Sequence, residues 1–200
     1  RSSPGMLHLK MARSPHDHAR ILSVDTSAAE KMPGVVRILT HKDVPANIYT
    51  ILRLIQVEPN DEPVLAEDKV RFRGEQVVAV LAGTEAQARA AAAAVKVEYE
   101  VLPAVFDVEE ALKPGAPLVN EYHGNNWFTY EGHHCRRVRM GDVEKGFAAA
   151  DHILEQRYQS APIEHAPVET TGCIVVPEAN GRLTCYSNTQ ALFFTLDNAG

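Results

Sequence analysis

The sequence predicts an α+β fold, and three local patterns carry that prediction. Gln76-Val-Val-Ala-Val-Leu-Ala82 is a continuous apolar run of the kind a strand covered on both faces requires. Thr84 and Gln87 then stand at capping-box spacing ahead of Ala86 to Ala94, a nearly all-alanine stretch and the best helix in the chain. Near the end, two strand-like runs, Cys173 to Val176 and Leu183 to Tyr186, flank a turn at Glu178-Ala-Asn-Gly181, and Asn-Gly between such runs is a strong hairpin signal.

Each element follows in order. Met6 to Met11 alternates, with Leu7, Leu9 and Met11 on one face and His8 and Lys10 on the other, as a half-buried strand would. Ala19 to Val24 continues strand-like. In Asp25 to Met32, Ser27 and Glu30 are spaced as a capping box for a short helix, which Pro33-Gly34 ends. Val35 to Leu39 reads as a short buried strand. Asn47 to Pro63 mixes apolar residues with Pro, Asn and acidic groups and predicts a long loop, followed by a short strand over Lys69 to Phe72. So many small side chains in the alanine helix imply close packing on a sheet. Val95-Lys-Val-Glu-Tyr-Glu-Val101 alternates as a strand that Pro103 breaks. Asp107 to Leu112 predicts a short capped helix closed by Pro114-Gly115. Gly115 to Gly132 has no period and predicts a linker. From His134 a strand is expected, then a short helix capped by Asp142 and reaching Ala150, then a long strand from His152 to Gln159.

Composition narrows the function classes. Of the 200 residues, 45% are hydrophobic and 23% charged, ordinary for a globular protein. A net charge of -6 argues against a nucleic-acid partner, and the one basic cluster, Arg136-Arg-Val-Arg139, reads as a solvated strand face. Cys135, Cys173 and Cys185 form no Cys-x-x-Cys pair, so zinc or iron–sulfur ligation by this chain is not indicated; free thiols fit a reducing, cytoplasmic compartment. No apolar run approaches the roughly 18 residues of a membrane span.

Two clusters invite a chemical reading. His16-Asp17-His18 on a strand would turn both imidazoles to one side, as a metal site needs, with His133-His-Cys135 as further ligands; a structural hydrogen-bonding role is the plainer reading, and no metal is assigned. Glu164, His165 and Glu169 offer two carboxylates and an imidazole, the raw material of acid–base catalysis.

Many phrases together resemble one family. Pro4-Gly-Met-Leu7, Arg13-Ser-Pro-His-Asp-His-Ala-Arg-Ile21, Asp25-Thr-Ser-Ala-Ala29, Pro33-Gly-Val35, Pro63-Val-Leu-Ala-Glu-Asp-Lys-Val-Arg71 and Val95 to Pro103 are similar, in order and spacing, to the amino-terminal α/β hammerhead domain of molybdenum hydroxylase large subunits. That family includes xanthine dehydrogenase, aldehyde oxidase, aerobic carbon monoxide dehydrogenase and 4-hydroxybenzoyl-CoA reductase. Gly141-Asp-Val-Glu-Lys-Gly-Phe147, Ala150-Asp151 and the stretch from Glu164 to Gln190 resemble the beginning of its molybdopterin-binding domain.

The resemblance implies a hammerhead domain over 1–115, a linker over 116–133 and an incomplete cofactor-binding domain over 134–200. It implies a molybdenum–molybdopterin cofactor in its cytosine dinucleotide form, with [2Fe–2S] clusters and FAD on an iron–sulfur subunit and an FAD subunit. The remainder of the molybdopterin-binding subunit is a further expected partner. The implied chemistry is hydroxylation of a small aldehyde or N-heteroaromatic substrate with water as the oxygen source, and the chain alone is expected to be inactive. The family's general-base glutamate lies near the far end of the large subunit, so Glu164, His165 and Glu169 are expected as supporting groups. Xanthine-dehydrogenase-like members carry glutamine directly before the Glu-His pair; this chain has Ile163, which weakens a purine-hydroxylase reading. In the carbon monoxide dehydrogenase branch a glutamine matching Thr189-Gln190-Ala191 lies against the molybdenum centre, which makes Gln190 the leading cofactor contact, with Thr189 and Ala191 flanking it and Phe193 and Phe194 as pocket walls. The competing readings are a non-catalytic hammerhead assembly module and a metal hydrolase built on the His/Asp/Glu cluster.

Overall fold

The computed structural model describes residues 4–51, 60–124, 126–127, 138 and 140–199. Two three-stranded antiparallel sheets organise the first half. In one, β1 (His8–Arg13) and β3 (Val35–Leu39) flank β7 (Gln76–Ala82), with Lys10 opposite Val80 and Ile38 opposite Val80 on the other side. In the other, β6 (Lys69–Val70) and β8 (Lys96–Val101) flank β2 (Ala19–Asp25). The central place of β7 explains its unbroken apolar run: Val77, Val78, Ala79, Val80 and Ala82 are all buried. A short pair, β4 (Ile48–Tyr49) with β5 (Glu62–Pro63), closes the base of what the sequence reads as one long loop.

The alanine helix, α2 (Glu85–Ala94), lies on β1 and β7. Thr84 caps it, its Oγ1 accepting from Gln87 N at 3.2 Å. Ala88, Ala91 and Ala92 are its buried face, and side chains this small let the helix backbone come close to the sheet. Together with Ala19, Ala29, Ala66, Val70, Val78 and Val80 they form one core shared by both sheets. Gly34, at φ 82°, turns the chain into β3 directly beneath this helix, and a Cβ there would stand 2.3 Å from the Gln87 side chain.

Three local expectations need correction. The helix α1 (Ser27–Glu30) exists, but Ser27 is its first residue and not its cap; Asp25 Oδ1 accepts from Ser27 N at 2.9 Å and replaces the expected box. In β1 the polar face, not the leucine face, turns to the helix. Lys10 reaches Glu85 of α2 at 2.8 Å, while Leu7 and Leu9 are 42% and 47% exposed on the open side of the sheet. The register is the reason, since Lys10 and Ala12 pair with Val80 and Val78. The strand expected over His152 to Gln159 is absent, and those residues run irregular and exposed. The strand expected from His134 falls outside the described residues.

A polar strap follows the sheets. Asp107 caps α3 (Val108–Ala111) by accepting from Glu109 N and Glu110 N, both at 2.9 Å. Beyond it, the stretch expected as a linker is pinned down where it is described. Asn126 accepts from Val119 N at 2.9 Å and donates to Pro117 O at 2.9 Å. A 3-10 turn, Glu121–His123, docks on the sheet: Lys69 Nζ meets Glu121 Oε2 at 2.6 Å, Arg71 Nη2 meets Glu121 Oε1 at 2.5 Å, and His123 Nε2 meets Asp61 Oδ2 at 2.8 Å. Burial pushes the Glu121 carboxyl up, yet the Lys69 and Arg71 charges outweigh it and hold the group below the ordinary carboxylate range.

The last third is built differently. Asp142 caps α4 (Val143–Ala148), accepting from Lys145 N at 3.0 Å. β9 (Cys173–Pro177) and β10 (Leu183–Ser187) pair antiparallel, and α5 (Leu192–Ala199) follows. From Val138 onward none of the described residues is buried. Val175, Leu183 and Tyr186 are at least half exposed, and a lone two-stranded hairpin is marginal in water. This surface needs cover to be stable.

Candidate functional site

The hairpin and the helix after it position the leading site residue. Glu178 N donates to Arg182 O at 2.8 Å across the turn, and Gly181 takes the left-handed conformation (φ 82°) that Asn-Gly supplies. At the open end Asn188 acts as a clamp: its Oδ1 accepts from Gly172 N at 2.8 Å, and its Nδ2 donates to Thr170 O at 3.1 Å and to Glu169 Oε1 at 3.3 Å. Sequence reasoning passed over Asn188; its place immediately before Thr189-Gln190-Ala191 is the signal that would have found it.

Thr189 starts α5. Its Oγ1 accepts from Ala191 N at 3.0 Å and lies 3.1 Å from Thr195 Oγ1. The Thr189 hydroxyl is therefore committed to the helix start. Gln190 stands in the turn between β10 and α5, three residues beyond the strand end, exposed and with no side-chain partner among the described residues. Its amide can both donate and accept, so it is the uncommitted polar group of this tip. Phe193 and Phe194 lie on α5, a helix the sequence reading did not anticipate; Phe193 is 73% exposed and Phe194 half-buried.

The acidic cluster does not close on itself. Glu164 and His165 are exposed in irregular chain without partners among the described residues, while Glu169 alone is drawn to Asn188. Between them Ala166 has φ 46°, the one non-glycine residue with positive φ among those described, directly before Pro167. Strain of this kind concentrates at functional sites.

The histidines of the first half diverge. The chain over His16 to His18 is a bend and not a strand, so the same-side geometry of a metal site does not arise. His18 is buried and its Nδ1 lies 2.6 Å from Pro103 O, His16 meets the Tyr99 ring edge-on at 5.0 Å, and Asp17 takes the Arg73 guanidinium at 3.1 Å. Among the described residues no three His, Cys, Asp or Glu side chains gather as a metal site would; His133, His134 and Cys135 lie outside them. No helix among the described residues is long and apolar enough to cross a membrane.

Comparison with known proteins matches the chain in two stretches. Residues 1–103 match the family model of the aldehyde oxidase and xanthine dehydrogenase a/b hammerhead domain, and residues 126–199 match that of the molybdopterin cofactor-binding domain. The chain is 42% identical over 189 residues to a probable xanthine dehydrogenase subunit of Bacillus subtilis, covering 94% of this chain and 24% of that protein. It is 35% identical over 190 residues to the xanthine dehydrogenase/oxidase of Gallus gallus, covering 94% and 12%. The structure superposes on the aldehyde oxidoreductase of Desulfovibrio gigas with a TM-score of 0.77 and 32% identity, over 93% of this chain and 20% of that one. The chain thus spans a quarter or less of these relatives' length. With the hammerhead model alone matching more than half of its residues, the chain belongs to the aldehyde oxidase and xanthine dehydrogenase family of molybdenum hydroxylases and corresponds to the amino-terminal portion of their molybdopterin-binding large subunit.

Proposed function

We propose that this chain contributes the hammerhead domain and one cofactor-facing tip to an oxidoreductase that hydroxylates a small aldehyde or N-heteroaromatic substrate with water as the oxygen source. The division into a hammerhead domain (1–115), a connecting stretch (116–133) and a cofactor-binding portion (134–200) belongs to the same reading. Gln190 carries it: the chain presents a neutral amide, without a partner among the described residues, from a tip whose flanking residues are locked by Asn188 and Thr189. That donor and acceptor pair fits one edge contact to a molybdenum–molybdopterin group in its cytosine dinucleotide form, with Thr189 and Ala191 contributing backbone. When bound, that group supplies the redox chemistry. This chain's part is to orient a ligand through Gln190 Nε2 and Oε1, with Glu164, His165 and Glu169 supporting the approach and Phe193 and Phe194 excluding water.

Electron transfer to [2Fe–2S] and FAD partners belongs to the same reading, and a relative whose name makes it a subunit supports further subunits as partners. The exposed apolar hairpin supports the remainder of the molybdopterin-binding subunit as the first partner. A cytoplasmic location accords with the free, exposed Cys173 and Cys185.

The test is Gln190→Ala in the complete assembled enzyme, with turnover normalised to bound molybdenum and a thermal melt beside it. Loss of one oriented donor lowers the rate roughly a hundredfold, equivalent to about 3 kcal/mol in the barrier. Unchanged turnover per molybdenum would show that Gln190 is a surface amide and refute the assignment.

A further inference from the structure

We propose that the groove between β1, β8 and the carboxyl end of α2 is a docking site for an acidic, extended peptide segment of a partner polypeptide. It is a concavity of about 470 Å³ on the hammerhead domain. Nothing in the hydroxylase reading assigns it a role.

Three features converge there. The floor is apolar: Ala12, Ala92, Val95, Val97 and Tyr99 line it, and the small alanines are what leave room. The rim is cationic. Lys10, Arg13 and Arg89 all border the groove; Lys10 and Arg89 share the Glu85 carboxylate at 2.8 Å and 3.0 Å, and Arg13 Nη1 donates to Gly74 O at 2.7 Å, so these cations outnumber the carboxylate that pairs with them. A positive rim on a chain of net charge -6 is a local inversion of sign, and an acidic partner is what it attracts. Finally, β1 and β8 are both edge strands, each bonded to a single neighbour among the described residues. β8 turns alternate side chains, Val97 and Tyr99, to the groove, whereas β1 borders it with the consecutive residues Lys10 to Arg13, where its outer edge has no strand partner among the described residues.

The free edge of β1 decides between occupants. A small amphipathic anion satisfies the floor and the rim but leaves that edge unpaired. An extended segment uses all three: backbone groups pair with an edge, apolar side chains at alternate positions face the floor, and acidic ones between them face the rim. Four residues of β1, Lys10 to Arg13, border the groove, a run of about 13 Å at strand rise. That suits a segment of similar length.

The experiment titrates the complete assembled enzyme with acetyl-Asp-Val-Asp-Leu-Asp-Val-amide, following site-resolved shifts in backbone amide hydrogen-exchange rate. Saturable shifts confined to Lys10–Arg13 and Ala92–Tyr99 are expected, with no such response to the same peptide carrying Lys in place of Asp. Ala93→Phe, at an exposed position that fills the groove without entering the core, abolishes the shifts. Arg13→Glu weakens binding about fivefold, the size of one charge pair removed at an exposed rim. Thermal melts of both variants stay at the wild-type value, which separates a lost site from a lost fold. Equal binding of the Lys peptide, shifts mapping to the exposed hairpin instead, or indifference to Ala93→Phe would overturn the proposal. So would saturation of the groove amides by 8-anilinonaphthalene-1-sulfonate but not by the acidic peptide, which would make it a small-amphiphile site.

Discussion

Asn47 offers the sharpest test of how the first half holds together. It is buried, and its side chain pairs both backbone groups of Leu65: Nδ2 donates to Leu65 O at 2.8 Å and Oδ1 accepts from Leu65 N at 3.0 Å. Nδ2 also donates to Glu67 Oε1 at 2.9 Å. A side-chain amide thus takes the place of a strand neighbour for a residue that is itself only 2% exposed. Asn47→Ala leaves a buried N–H and a buried C=O unpaired, each costing about 1–3 kcal/mol. Allowing for partial hydration, a loss of about 3 kcal/mol is expected. In a folded unit of roughly 100 residues this lowers Tm by more than about 10 °C. Asn47→Asp keeps the acceptor but loses both donated bonds and sets a carboxylate against Glu67, so it should be comparably destabilised at pH 7 and recover on acidification. The assays are a thermal melt and hydrogen exchange at the Leu65 amide. A Tm drop below about 2 °C for Asn47→Ala, with the Leu65 amide still protected, would refute the reasoning.

Other outcomes follow from single sites. Burial raises the Glu75 carboxyl above its ordinary 4.5, against the opposing pull of the Arg71 N–H and charge; a group raised in the folded state contributes stability below its unfolded value and loses it as pH rises through the folded one. Relative to Glu75→Gln, the wild type should therefore lose stability as pH rises above the ordinary carboxylate value, and a Tm difference that is flat or of opposite slope contradicts the assignment. His18→Ala, which removes the 2.6 Å contact to Pro103 O, should cost about 1–3 kcal/mol. His16→Ala, losing only its edge contact with Tyr99, should cost about 1 kcal/mol. Neither should change metal content, and stoichiometric loss of a metal from a folded variant would restore the metal-site reading. Gly34→Ala combines a positive φ with a Cβ 2.3 Å from the Gln87 side chain, so it should cost more than the roughly 1 kcal/mol of conformational strain alone; an unchanged melt would show that the α1–β3 turn relaxes freely.

The sequence by itself determined the elements whose reasons are local. The continuous apolar run of β7, the Thr84 cap and alanine face of α2, the Asp107 and Asp142 caps and the Asn-Gly turn each depend on neighbours a few residues away, and each stands where the pattern puts it. The order of phrases also sufficed to name the family, because a family resemblance sums over the whole chain. Tertiary structure decided what depends on distant partners. Which face of β1 turns inward was set by its pairing with β7 under α2, so an alternation that looked conclusive pointed the leucines outward. Asn47 and Leu65, or His18 and Pro103, meet across 18 and 85 residues, and no spacing rule connects them. The histidine cluster dissolved for the same reason, each side chain drawn to a different partner. The expected strand over His152 to Gln159 is the converse case: a strand exists only by pairing, and among the described residues nothing lies alongside to pair with it. Gln190 combines both. Its Thr-Gln-Ala setting was legible in the sequence, but its isolation from every internal partner among the described residues came only from the turn that Asn188 and Thr189 build around it.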